Sequence, residues 1–87
     1  MEDYKYLNEA ITNVIKRLRQ SAGLSQQKLA DLAGIDRLYV LQLERGKFRP
    51  TLNSIFFLAR GFGLAPQTLV ELIEVERRSL AQKLDVD

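Results

Sequence analysis

Apolar residues recur along most of this chain at intervals of three and four positions, which is the period of an amphipathic α-helix. The first apolar stripe consists of Tyr4, Leu7, Ile11, Val14, Ile15 and Leu18. Asp3 and Asn8 are both candidates to cap the helix that carries this stripe, and the helix is expected to end near Ala22 and Gly23. No segment alternates apolar and polar residues for long enough to form a strand, so the pattern predicts an all-α fold.

Two further stripes predict the helices of the C-terminal half. Thr51 is expected to cap the fourth helix and Gly63 to end it. Its expected buried set is Leu52, Ile55, Phe56, Leu58, Ala59 and Phe62. Pro66 suits the first position of the fifth helix, because the N–H that proline lacks has no partner there anyway. This helix is expected to continue towards the C-terminus on Leu69, Leu72, Ile73, Leu80 and Leu84.

The segment 25–46 predicts two short helices with an abrupt turn between them. Ser25 is expected to cap the first by accepting a hydrogen bond from a free backbone N–H. Gly34 can end it in the left-handed conformation at no steric cost. Asp36 is the next capping residue, and it opens the second helix. The two helices are expected over about 26–33 and 37–45.

The composition disfavours catalysis and metal binding. Cysteine and histidine are both absent from the 87 residues, so the chain has no thiolate ligand, no imidazole ligand and no imidazole base. No apolar run approaches the roughly 18 residues of a membrane span, and the N-terminus lacks a secretory signal pattern. We expect one cytoplasmic domain over 1–87, with no cofactor, no metal and no membrane contact. An enzyme is the least favoured class of function.

The charges are unevenly distributed along the chain. Residues 16–60 contain nine basic and three acidic residues, whereas the two ends together contain four basic and eight acidic residues. A basic centre with acidic ends suits a polyanionic partner. A solvated surface of mixed charge explains the same distribution equally well.

A set of short motifs surrounds the two central helices. They are Arg19-x-x-x-Gly23-Leu24-Ser25-Gln26, Leu29-Ala30, Gly34-Ile35, Glu44-Arg45-Gly46 and Pro50-Thr51-Leu52. Over about 11–73 the chain therefore resembles the Cro/phage-repressor (XRE-type) helix-turn-helix family, with 74–87 as a helical extension. The resemblance implies a compact five-helix, lambda-repressor-like domain whose third helix enters the major groove of duplex DNA. Phage repressors, restriction–modification controllers and antitoxin-type repressors all share this plan.

The resemblance implies that the third helix reads bases, and the candidates on its outward face are Arg37, Leu38, Leu41 and Gln42. Leu38 and Leu41 depart from the small or polar residues that the family usually has there. An arginine can bind both acceptors of a guanine, a contact worth about 1–3 kcal/mol of discrimination, although Arg37 could instead bind a phosphate. Leu38 could contact a thymine methyl group. Leu41 could do the same or pack sideways on a neighbouring helix. Gln42 could pair with adenine or reach bases through water.

The expected phosphate contacts are Gln26, Gln27, Tyr39, Arg45, Lys47 and Arg49. Tyr39 could instead pack against the core. The resemblance also implies an internal ion pair between Arg19 and Glu44, which would remove Arg19 from the DNA ligands.

A single domain of this kind reads few base pairs, so we expect a homodimer through the fourth and fifth helices. The candidate interface residues are Phe57, Val70 and Ile73. In the alternative, the terminal helices cover each other within one monomer, with Tyr4 and Leu7 meeting Leu80 and Leu84. The sequence thus predicts a dimeric, sequence-specific DNA-binding transcriptional regulator without a small-molecule effector. The second hypothesis is a protein-interaction module of the same fold that does not read DNA, which exposed leucines at 38 and 41 would favour.

Overall fold

The computed structural model of the protein describes residues 2–85. This part of the chain forms five helices: α1 (Leu7–Ser21), α2 (Gln26–Ala33), α3 (Arg37–Glu44), α4 (Leu52–Phe62) and α5 (Pro66–Leu84). It contains no strand. The all-α, five-helix prediction is therefore confirmed, and the helix ends other than the start of α1 lie within one or two residues of the expected positions.

Three of the expected helix ends depend on local chemistry and form as predicted. The Ser25 hydroxyl accepts a hydrogen bond of 3.0 Å from the N–H of Lys28, and the Thr51 hydroxyl accepts one of 3.1 Å from the N–H of Ser54. Each such cap stabilises its helix by about 1 kcal/mol. Gly34 ends α2 with a φ of 77°, a left-handed conformation that only glycine adopts without strain.

The predicted cap of α1 was wrong, and that of α3 was right in position but lacks the capping hydrogen bond. The residue that precedes α1 is Tyr6, whose φ is 62°, so Asn8 lies inside the helix and Asp3 lies before it. The Tyr6 hydroxyl donates to Asp85 Oδ1 at 2.6 Å, a contact with the end of α5 that no local pattern encodes. Asp36 does precede α3, but its carboxylate makes no hydrogen bond to the helix.

The core is formed by residues from all five helices. Its fully buried large side chains are Val14, Ile15, Leu29, Val40, Leu43, Leu58 and Leu69. The helices α2 and α4 approach closely, because a methyl group built on Gly61 would lie 2.9 Å from the Ala33 Cβ. Small residues on both helices therefore allow their backbones to pack side by side.

The expected buried set of α4 was wrong for two residues. Leu52 is 69% exposed and Phe56 is 51% exposed. Ile55, Leu58 and Ala59 fill the face of α4 that meets the core. Since one helix buries only one stripe against its neighbours, the adjacent stripe with Leu52 and Phe56 remains at the surface.

The two ends of the described chain contact each other along α1 and α5. Arg77 lies 5.0 Å from the ring centre of Tyr4, and Asn13 donates to Glu76 Oε2 at 3.0 Å. Leu80 is half-buried against the core, whereas Leu84 is exposed. The terminal elements thus contact each other within one monomer, while Leu84 remains at the surface.

Candidate nucleic-acid interface

The outward face of α3 brings together the side chains expected to read bases. Arg37 is exposed, Leu38 is 61% exposed, and Gln42 is partly exposed one helical turn beyond Leu38. Leu41 is half-buried. Val40 and Leu43 point into the core and anchor the opposite face. The helix therefore presents a cation, an alkyl group and an amide to whatever approaches it.

Tyr39 is held within the protein. Its hydroxyl donates to Ser54 Oγ at 2.5 Å, and its ring meets Phe48 edge-on with 4.7 Å between ring centres. A phosphate contact would require this hydroxyl proton to turn away from Ser54. The structure thus gives Tyr39 a role in attaching α3 to the start of α4.

Basic side chains surround the end of α3. Arg37, Arg45 and Lys47 are exposed and form no ion pair with any residue between 2 and 85. Arg49 is also exposed, and its Nη2 lies 2.7 Å from Asp3 Oδ1. Three of these four cations are therefore available to an anion, and the fourth is in contact with a carboxylate.

The first turn of α2 offers backbone donors at the same surface. Ser25 satisfies the N–H of Lys28, and the N–H groups of Gln26 and Gln27 precede it in the turn, where helices have no internal acceptors. The Gln26 amide donates to Glu44 Oε1 at 3.2 Å and the Gln27 amide to Asp31 Oδ1 at 2.8 Å. Both amides are thus oriented by neighbouring carboxylates. The positive end of the helix dipole favours an anion there.

An ion pair between Arg19 and Glu44 lies beneath this surface. Arg19 Nε donates to Glu44 Oε2 at 2.6 Å and Arg19 Nη2 to Oε1 at 3.0 Å, while Nη1 donates to the Leu24 carbonyl at 2.8 Å. Only 14% of the Arg19 side chain and 4% of the Glu44 side chain are exposed. The hydrogen bond to Glu44 raises the pKa of Arg19, against the opposing effect of burial. Since Gln26 also donates to Glu44, the pair joins α1, α2 and α3.

The candidate dimer residues occupy three different environments. Val70 is exposed, and Phe57 is half-buried with the Arg60 guanidinium 5.0 Å from its ring centre. Ile73 is only 5% exposed and packs in the core, so its assignment to an exposed interface was wrong. Phe56, which was expected to be buried, lines an open apolar groove with Pro66, Gln67 and Val70.

Two hydrogen bonds beside this surface were not predicted from the sequence. Arg60 Nη2 donates to the carbonyl of Ala33 at 2.9 Å, and Ser54 accepts from Tyr39. Their partners lie 27 and 15 positions away. No local pattern marks either contact.

Within residues 2–85, no helix is long and apolar enough to cross a membrane. The same residues contain no group of three or more acidic side chains that could hold a metal ion.

Two eight-residue helices that meet at a left-handed glycine, the second with an exposed outward face, define a helix-turn-helix protein. The family model described as helix-turn-helix, HTH_3, matches residues 15–69. The chain belongs to this family, and the resemblance inferred from its motifs is confirmed.

Individual relatives extend the similarity over most of the chain. A Sinorhizobium fredii protein named "Uncharacterized HTH-type transcriptional regulator y4dL" is 31% identical over 85 residues, which cover 93% of this chain and 43% of the relative. The chain thus spans less than half the length of that protein. The restriction–modification controller protein C.AhdI from Aeromonas hydrophila is 38% identical, with a TM-score of 0.67 over 76% of this chain and 98% of the controller.

A second controller protein was solved with nucleic acid. The C.Esp1396I tetramer in complex with its natural 35 base-pair operator is 25% identical to this chain. Its TM-score is 0.78, and the match covers 86% of this chain and 99% of that one. Nearly the whole of both controller chains therefore has a counterpart here.

Proposed function

We propose that this protein is a non-catalytic, sequence-specific DNA-binding transcriptional regulator that binds operator DNA as a homodimer, with α3 in the major groove. The observation that carries the proposal is the outward face of α3, where Arg37, Leu38 and Gln42 are accessible beside the unpaired cations Arg45 and Lys47. The controller proteins that match this chain over nearly their whole length support it, one of them in complex with its operator.

In this proposal, α3 distinguishes bases through three kinds of contact. The Arg37 guanidinium pairs with both acceptors of a guanine, and Leu38 contacts a thymine methyl group. Gln42 pairs with adenine directly or through water, and the partly buried Leu41 borders the same base pairs. Each good paired contact contributes about 1–3 kcal/mol of discrimination.

Affinity that does not depend on sequence comes from the surrounding donors. Arg45, Lys47 and Arg49 bind phosphates, together with the first-turn donors of α2 at Gln26 and Gln27. Tyr39 can contribute a further phosphate contact if its hydroxyl donates to a phosphate oxygen instead of to Ser54. Six arginine and lysine contacts per dimer predict a slope of about −5 for the logarithm of affinity against the logarithm of salt concentration.

Dimerisation supplies the length of DNA that one α3 cannot cover. Two half-sites one helical turn apart require α3 and its symmetry mate to lie roughly 34–36 Å apart. The exposed side chains Leu52, Phe56 and Val70, with the half-buried Phe57, offer an apolar surface on α4 and α5 for the second copy. Unpaired apolar side chains clustered in this way are typical of association surfaces.

The proposal is tested by titration of the protein against duplex DNA. A duplex selected from a random pool is labelled, and binding is followed by fluorescence anisotropy in about 50 and about 200 mM salt. We expect affinity for the selected duplex to exceed that for a shuffled duplex, and to fall by about a thousandfold over this salt range. The absence of duplex binding at the lower salt concentration would contradict the proposal and favour an interaction module that does not read DNA.

A further inference from the structure

The turn between α2 and α3 is contacted by one side chain from α4. Arg60 Nη2 lies 2.9 Å from the carbonyl oxygen of Ala33, the last residue of α2. The N–H groups of Gly34 and Ile35 both donate to the carbonyl of Ala30, so they leave the Ala33 carbonyl free for another donor. Arg60 supplies that donor, and its positive charge lies at the negative end of the α2 dipole.

The same guanidinium is in close contact with the turn itself. A methyl group built on Gly34 would lie 2.6 Å from Arg60 Nη2, which is closer than real side chains approach. One residue further along α4, a methyl group on Gly61 would lie 2.9 Å from the Ala33 Cβ. The guanidinium also lies over the ring of Phe57. Arg60 is exposed as a residue, but its guanidinium contacts the Ala33 carbonyl, the Phe57 ring and the backbone at Gly34.

On the other side of the turn, the body of α3 is held by Val40 and Leu43 in the core, and its first residue is not held by its own side chain. Asp36 precedes α3, yet its side chain makes no capping hydrogen bond. The start of α3 is therefore held by the packing of Tyr39 and Val40 and not by a side-chain cap. The side-chain hydrogen bond that lies nearest the turn is the one between Arg60 and the carbonyl of Ala33 at the end of α2.

We propose that Arg60 is a positioning residue, which holds the end of α2 and the Gly34 turn in place and so, together with the core contacts of α3, aligns Arg37 and Gln42 with base edges. This inference rests on the proposed function for its effect on DNA binding. It assigns Arg60 a task distinct from that of the phosphate-binding cations, although Arg60 belongs to the same basic central segment. The rigid, planar fork of arginine suits this task, because it can donate to the carbonyl while its face lies on a ring.

The test compares Arg60→Ala and Arg60→Lys with the parent, and uses Arg78→Ala, an exposed arginine on α5, as the control. Binding to the selected and the shuffled duplex is measured over a range of salt concentrations. We expect Arg60→Ala to lower the ratio of the two affinities by about tenfold, equivalent to weakening one base contact. Affinity for the shuffled duplex and its salt slope should stay at the parent values. Arg60→Lys keeps the positive charge but not the planar guanidinium, so its ratio of affinities for the selected and the shuffled duplex should fall by less than tenfold.

A second readout does not require DNA. In the free protein, Arg60→Ala should shift the backbone amide resonances of residues 33–39, whereas Arg78→Ala should leave them in place. Arg60→Lys is the variant used if Arg60→Ala does not fold. The failure of the parent to bind any duplex would refute the proposed function, and the amide shifts would still test the position of α3.

Three results would overturn the inference. The first is an unchanged affinity ratio in Arg60→Ala and Arg60→Lys. The second is a uniform loss of affinity with a salt slope reduced by about one for each arginine removed, because this would identify Arg60 as a phosphate ligand. The third is the absence of amide shifts in 33–39.

Discussion

Replacing Glu44 by alanine is expected to destabilise the protein more than replacing any exposed acidic residue. The carboxylate accepts two hydrogen bonds from Arg19 and one from Gln26, and almost none of it is exposed. Its removal leaves the Arg19 guanidinium partly buried, with the Leu24 carbonyl as its remaining acceptor. Because α1, α2 and α3 all contact this carboxylate, the loss affects the unit that holds the candidate DNA surface.

The expected magnitude follows from the burial of the pair. Breaking a buried ion pair from one side costs about 3–5 kcal/mol, and the lower end applies here because Arg19 keeps one acceptor and some exposure. A domain of 87 residues has a free energy of unfolding of roughly 4–13 kcal/mol. A loss of about 3 kcal/mol lowers the melting temperature by roughly 12 °C or more for a chain of this size.

The assay is thermal and urea unfolding followed by circular dichroism. Glu71→Ala is the matched control, because Glu71 is exposed on α5 and forms no ion pair within residues 2–85. Its free energy of unfolding should change by no more than about 0.5 kcal/mol. Glu44→Gln keeps an acceptor and the side-chain volume, so its free energy of unfolding should lie between those of Glu44→Ala and Glu71→Ala. The reasoning would be refuted if Glu44→Ala were as stable as Glu71→Ala.

Three further predictions concern the ends of the chain and the apolar surface. Asp3→Asn releases Arg49 from its exposed carboxylate partner, so it should tighten binding to every duplex by about twofold; weaker binding would contradict this. Phe56→Glu should convert a dimer into a monomer in sedimentation equilibrium, and an unchanged dimer would place the interface elsewhere. The pKa of Glu76 lies below its ordinary value because Asn13 and then Arg17 donate to its carboxylate, with burial opposing them. Such a group stabilises the fold above its unfolded pKa, and this contribution is lost as the pH falls through the folded pKa. The melting temperature of the parent should therefore drop more than that of Glu76→Gln between about pH 6 and about pH 3, and equal drops would argue against the contact.

The helices of this protein were predictable because their signals are local. Ser25 and Thr51 cap the helices that follow them, and Gly34 ends α2, as the sequence indicated. The start of α1 was not predictable, because Tyr6 is tied to Asp85 at the other end of the chain. Asp3 and Asn8 were both plausible local caps, but neither of them caps α1. The helix begins after Tyr6, whose hydroxyl donates to Asp85.

The candidate surface was predictable only in part, for the same reason. The inward positions of Val40 and Leu43 determine which face of α3 points outward, so its exposed residues follow from the helical period. On α4, Phe56 and Phe57 are adjacent and equally apolar, and the helical spacing favoured Phe56 as the buried one, whereas Phe56 is exposed and Phe57 is half-buried. Arg60 looked like one more surface cation, because its partner is a main-chain carbonyl on another helix.

The central claim is that α3 reads bases while the surrounding cations bind phosphate. The most direct test measures the affinity of the parent, Arg37→Ala and Lys47→Ala for the selected operator and for each of its single base-pair substitutions. We predict that Arg37→Ala removes the preference at one symmetry-related position, a loss of about 1–3 kcal/mol. Lys47→Ala should weaken all duplexes equally and lower the salt slope by about one for each lysine removed. If Arg37→Ala ranks every operator variant in the same order and with the same spacing as the parent, α3 does not read DNA through this residue and the account is wrong.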